Sequence, residues 1–142
     1  MHDLSELIAV GGWPGHLGRT VPQTLQAVRD YLDEIRRLDI AVDGVRRDPE
    51  KVGCLLRAIA RSVSTYVANT TLAADAGGAE GVLSRDTVSD YLAALDRLMV
   101  TEDQPAWAPH LRSKSILRSS PRRHFVDPSL LLPLCGRLPT AS

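Results

Sequence analysis

Aromatic residues are nearly missing from this sequence. One Phe, two Trp and three Tyr amount to 4% of 142 positions, so aliphatic side chains must fill the interior. Cysteine is as scarce. Cys54 and Cys135 allow one disulfide at most and belong to no CxxC or Cys/His cluster, which excludes a disulfide framework or a zinc ribbon. The histidines, His2, His16, His110 and His124, show no metal-ligand spacing either. No apolar run approaches the roughly 18–20 residues that span a bilayer, and the sequence leads us to expect no secretory signal. The expectation is a cytoplasmic chain with reduced thiols and no membrane contact. Net charge is missing as well: 17 Lys/Arg balance 17 Asp/Glu, and no global field draws in nucleic acid.

The balance hides an asymmetry. Up to Asp103 there are 16 acids against 11 Lys/Arg; from Gln104 onward Asp127 is the one acid against six Lys/Arg. The C-terminal third is therefore basic. Arg outnumbers Lys 15 to 2, which reads as the base composition of a G+C-rich bacterial genome before it reads as function. A hydrophobic content of 44% supplies a core for one ordinary domain, or a small domain with an extension.

Asp3 to Val10 predicts a short helix with Leu4, Leu7 and Ile8 on its apolar side, ended by Gly11-Gly12. Trp13-Pro14-Gly15 is a turn. Pro22 opens a helix whose stripe is Leu25, Val28, Leu32, Ile35 and Leu38. Ala41 to Arg47 is a connection. Asp48-Pro49-Glu50 starts the next helix with an N-cap acid, Pro at the first position and an acid in the first turn. Its broad apolar face, from Val52 through Leu55, Leu56, Ile59, Ala60 and Val63 to Tyr66 and Val67, suits a helix central to a small core. Thr71 to Ala76 forms a shorter helix anchored by Leu72 and Ala73, and Gly77 to Gly81 breaks it.

The stretch from Ser84 to Asp127 organises the rest. Ser84 caps a helix reaching about Leu98, with Val88, Tyr91, Leu92, Leu95, Leu98 and Met99 on one face. Then come a short strand at Met99-Val100-Thr101 and a loop bearing Pro and Trp from Gln104 to His110. A basic segment from Leu111 to Arg123 and a second strand at His124-Phe125-Val126 follow. Helix, strand, basic loop, strand is the order of a recognition helix and its wing. The two helices around the glycine-bearing turn make a helix-turn-helix candidate. Leu130 to Leu134 is an apolar run, and the remainder is polar.

No enzyme motif rises above background. Trp13 to Thr20, WPGHLGRT, imitates a phosphate-binding loop, but Trp13 replaces the first glycine and Arg19 the lysine, and a helix rather than a strand precedes it. Ser113, Ser115, Ser119 and Ser120 lie in no nucleophile-elbow context, and no carboxylate pair suggests an acid and a base. The strongest functional signal is Arg112, Lys114, Arg118, Arg122 and Arg123, a wing suited to a phosphate backbone. Trp107 packs on the core or stacks on a base. Asp86, Asp90 and Asp96 outnumber Arg85 and Arg97 on the helix before the wing, which disfavours base reading in the major groove.

Several strings belong together: GGWP at Gly11–Pro14, YLDEIRRLDI at Tyr31–Ile40, LLRAIARS at Leu55–Ser62, and SRDTVSDYLAALDRLMV at Ser84–Val100. QPAWAPHLRSKSILRSSPRRHFVDPSL at Gln104–Leu130 joins them. They resemble the middle and C-terminal part of a bacterial family of AAA-type ATPases. Those proteins carry a P-loop domain followed by a domain of unknown function, built from a winged helix and a restriction-endonuclease-like fold. The resemblance covers Asp3 to about Leu134, with RHFVDPSL its most specific string. It transfers no site residue, because the family's phosphate loop and Walker B acids lie upstream of anything here and its nuclease-like positions downstream of Leu134. It implies a truncated member, either a stand-alone module or the remnant of a split gene.

The expected fold is mostly α (α+β). A helical lid-like segment occupies 1–47, a winged helix-turn-helix with a short β wing 48–130, and an apolar-then-polar tail 131–142. The expected function is non-catalytic, with no cofactor and no metal: weak, sequence-tolerant nucleic-acid binding through Arg112, Lys114, Arg118, Arg122 and Arg123. The alternative is a protein-interaction module that docks on a partner ATPase or self-associates, or a remnant without function.

Overall fold

In the computed structural model, residues 3–37, 47–77, 81–105 and 121–136 are described. Among them are six α-helices and one two-stranded antiparallel sheet, a mostly helical α+β arrangement. By contact they group into two units, 3–37 with 127–136, and 47–77 with 81–105 and 121–126. This grouping puts a boundary at 127, inside the span expected to be one winged helix, and joins 127–136 to the N-terminal helices.

The first unit begins with α1 (Leu4–Val10), ended by Gly11 at φ 65°. Its buried residue is Ala9; Leu4 and Leu7 are 69% and 55% exposed, and Ile8 37%. The side expected to face inward faces outward. Two turns offer too few positions for periodicity to choose a side, and the small Ala9 allows closer packing than the leucines. In α2 (Val21–Arg37) Leu25, Val28, Leu32 and Ile35 of the expected stripe are buried, together with Thr24, and Leu38 lies outside the described residues. Gln23 Oε1 accepts from the Thr20 N–H at 2.9 Å, half of a capping box. A 3₁₀ turn at Pro128–Leu130 leads into α6 (Leu131–Cys135), so the start of the expected tail is helical, and Leu130 is fully buried.

The second unit is built on α3 (Pro49–Arg61), which starts as expected, with Asp48 Oδ1 accepting from the Glu50 N–H at 2.9 Å. Val52, Leu55, Leu56 and Ile59 are at most 1% exposed. The helix stops short of its expected face. Ser62 Oγ bonds back to the Ala58 carbonyl at 2.9 Å, and Ser64 turns to φ 62°. Hydroxyls offer the backbone an alternative to the helical ladder, and here they end it. Val63, Tyr66 and Val67 therefore leave the core face; Tyr66 is 53% exposed and forms an isolated antiparallel bridge with Arg122. In α4 (Asn69–Gly77), Leu72, Ala73 and Ala76 are buried. Gly77 is needed for the chain to return, since a Cβ there would lie 2.7 Å from Val82 Cα.

In α5 (Arg85–Arg97), Ser84 Oγ accepts from the Thr87 N–H at 3.0 Å, and Val88, Tyr91, Leu92 and Leu95 are buried. Met99 departs from the expected face: it is 70% exposed at φ 55°. Its N–H bonds Asp96 O, and the Val100 N–H bonds Leu95 O, both at 2.9 Å. That is a Schellman ending with methionine in the left-handed position usually held by glycine, sealed by the fully buried Leu95 and Val100. The ending delays the strand, so β1 spans Thr101–Gln104 and pairs antiparallel with β2 (Arg122–Phe125). Thr101 faces Phe125, Asp103 faces Arg123 and Gln104 faces Arg122.

Candidate nucleic-acid interface

Of the five residues expected to form the basic wing, Arg112, Lys114 and Arg118 lie outside the described residues. Arg122 and Arg123 are neighbours on β2, so their side chains take opposite faces of the hairpin. Their electrostatic situations differ. Arg123 is directly opposite Asp103 and binds it through both ends of its fork, Nε to Oδ1 at 2.7 Å and Nη2 to Oδ2 at 2.9 Å. Its side chain is only 12% exposed, so most of its charge is spent inside the hairpin. Arg122 is exposed, opposite the neutral Gln104, and its guanidinium carbon sits 4.7 Å from the Tyr66 ring centroid. No described carboxylate pairs with it.

The outer face of α5 carries Asp86, Asp90 and Asp96, all exposed, with Arg85 and Arg97. Between α4, α5 and the hairpin lies a hollow of about 290 Å³, lined in part by Asn69, Ser89, Asp96, Asp103 and Arg123. Asn69 Nδ2 donates to Ser89 Oγ at 3.2 Å across it. His124 reaches Ser64 Oγ through Nδ1 at 3.2 Å, while its buried Nε2 has no partner among the described residues. Trp107 lies outside the described residues. Two residues with a part in this surface escaped the sequence reading. The apolar period of α3 puts Tyr66 on the core face, and in the charge pattern Asp103 is only the last acid before the basic stretch. The signal for Asp103 was present: an acidic strand, Glu102-Asp103, precedes a basic one, and antiparallel pairing brings opposite charges together.

The first unit joins GGWP to the end of RHFVDPSL. Gly12 N–H donates to Asp127 Oδ2 at 2.7 Å, and the Trp13 indole N–H to Ser129 Oγ at 3.0 Å. Asp127 Oδ1 accepts from the Ser129 N–H at 2.9 Å and its hydroxyl at 2.6 Å. Trp13 also meets the Tyr31 ring edge-on at 5.1 Å. WPGHLGRT is thus a structural corner: Pro14–His16 is a 3₁₀ turn, and the buried His16 ring places Nδ1 2.8 Å from Val10 O. It follows α1, not a strand.

Burial alone would raise the Asp127 pKa. Hydrogen bonds from the Ser129 hydroxyl and from the Gly12 and Ser129 N–H groups outweigh that and hold it below the ordinary 3.8. A depressed folded pKa means that the unfolded chain binds the extra proton. The stabilisation is therefore present above 3.8 and lost as pH falls through the lower folded value. The urea midpoint of the aromatic circular dichroism should fall on acidification below about pH 4, and Asp127→Asn should remove that contribution. Parallel pH profiles for the two proteins would contradict the assignment.

Among the described residues no group of three or more His, Cys, Asp or Glu is placed to hold a metal, and no helix is long and apolar enough to cross a membrane. A family model described as a domain of unknown function, DUF8612, matches residues 1–140. The chain matches no curated protein and no solved structure.

Proposed function

The chain belongs to the DUF8612 family, a domain of unknown function, so membership brings no activity with it, and we propose one from the chain's own geometry. Residues 47–126 are a non-catalytic winged helix that touches nucleic-acid phosphates weakly, and without sequence preference, through its hairpin. The observation that carries this reading is the element order: α3, the Tyr66 bridge, α4, α5, then β1 and β2, with Tyr66 bridging to β2 as a third strand position. Charge supports it modestly. Residues 40–126 hold 12 Lys/Arg against 10 Asp/Glu. No described carboxylate neutralises Arg122, whereas the aspartates of α5 oppose close approach to bases.

Each Lys or Arg that neutralises a duplex phosphate contributes about 0.9 to the log–log salt slope. Arg122→Ala should lower the slope by up to about 0.9 and leave sequence preference unchanged, read by fluorescence anisotropy with two unrelated duplexes across a salt series. A hundredfold preference for one duplex would overturn sequence tolerance. Absence of binding at low salt would transfer the surface to a second reading, docking on a protein partner such as the ATPase implied by the resemblance, or on another copy. The neutralised Arg123 and the acidic face of α5 favour that second reading, because they give a mixed-charge surface suited to a protein.

A further inference from the structure

Tyr66 is unusual on a chain so poor in aromatic residues. Tyr91 and Phe125 are buried, and Trp13 packs against Tyr31 and His16, but Tyr66 is 53% exposed. It is also held in place. Its backbone bridges to Arg122, and the Arg122 guanidinium lies over its ring at 4.7 Å. The strand register gives Arg122 a neutral partner, Gln104, while the next residue, Arg123, is consumed by Asp103. An exposed ring, with a guanidinium that no described carboxylate neutralises held over it, thus sits beside the hairpin.

Those two groups match the two halves of a nucleotide. A π surface takes the face of a base, and a guanidinium takes a phosphate through paired N–H groups. In a duplex the base faces are already stacked on their neighbours, so a ring here gains nothing from them. We infer that Tyr66 and Arg122 form a contact site for an unpaired nucleotide, and that the hairpin prefers single-stranded nucleic acid to duplex. This rests on the nucleic-acid reading above and narrows its ligand class. The base stacks on the Tyr66–guanidinium pair, and Arg122 holds the adjoining phosphate.

The test uses the full chain with a labelled oligothymidylate and a labelled duplex of equal length. Tyr66→Leu should weaken oligothymidylate binding by about fivefold to a hundredfold, the range for one base–aromatic stack, and leave duplex binding within about twofold. Tyr66→Phe should bind like the wild type, because the ring and not the hydroxyl makes the contact. Arg122→Ala should lower the single-strand salt slope by about 0.7. Independently, the added indole emission of the Tyr66→Trp variant should be quenched by oligothymidylate and not by duplex. Equal losses on both ligands, no loss on either, or an unquenched indole would overturn the site while duplex binding stands. Failure of both ligands to bind would overturn the nucleic-acid reading and the site with it.

Discussion

Leu95→Ala is expected to destabilise the second unit by about 2–5 kcal/mol, the range for removing a buried leucine and leaving a cavity. Leu95 is 0% exposed on the inner side of α5, and it also closes the helix end, since its carbonyl accepts from Val100 and both residues are fully buried. Truncation therefore opens a void where helix, Schellman turn and strand meet. The neighbouring Leu92 is 8% exposed, so the wall around it has more room to relax and Leu92→Ala should cost less. Urea denaturation followed by far-ultraviolet circular dichroism measures both. A Leu95→Ala loss below about 0.5 kcal/mol, the scale of surface changes, would mean that this side of α5 is not core.

Gly11→Ala should be nearly as damaging to the first unit. Gly11 has φ 65°, and a Cβ there would collide with Asp127 Oδ1 and lie 2.8 Å from Ser129 Oγ. Left-handed strain at a residue with a Cβ costs about 1 kcal/mol. The larger effect is displacement of the carboxylate that accepts from the exposed Gly12 N–H and the part-buried Ser129 N–H, and leaving the part-buried donor unmet costs about 1–3 kcal/mol. Together these give about 2–4 kcal/mol. Hydrogen exchange read by mass spectrometry localises the loss. Protection should fall in peptides covering 3–37 and 127–136 and persist in 47–77. Unchanged exchange in α1 and α2 would show that the Asp127 contacts do not hold the unit together.

Local chemistry was legible in the sequence wherever a few adjacent residues decide the outcome. Asp48-Pro49-Glu50 and Ser84 began their helices where capping rules put them, and Leu55, Leu56, Ile59, Leu92 and Leu95 are buried as their spacing requires. Features decided by competition or by distant pairing were not. The end of α3 depends on hydroxyls at Ser62 and Thr65 competing with the helix for carbonyls, against an apolar period that runs on through Tyr66. The inner side of α1 depends on Ala9, which hydrophobicity ranks below its leucines. In the candidate interface the residue types were readable, but their commitments were not. Register alone separates Arg123, bound to Asp103, from Arg122, left over Tyr66.

The hydrogen bonds that join Gly12 to Asp127 and Trp13 to Ser129 span 115 and 116 residues. The second unit is therefore an insertion within the first, and synthesis imposes an order on them. The inserted unit emerges from the ribosome complete while α1 and α2 still lack Asp127, Ser129 and Leu130. Closing so long a loop costs conformational entropy, and prior folding of the insert shortens the free chain that has to be closed. During that interval the apolar stripe of α2, with Leu25, Val28, Leu32 and Ile35, has no C-terminal segment to pack against. Among the described segments the N-terminal helices thus wait longest for the residues they pack against, although they are made first.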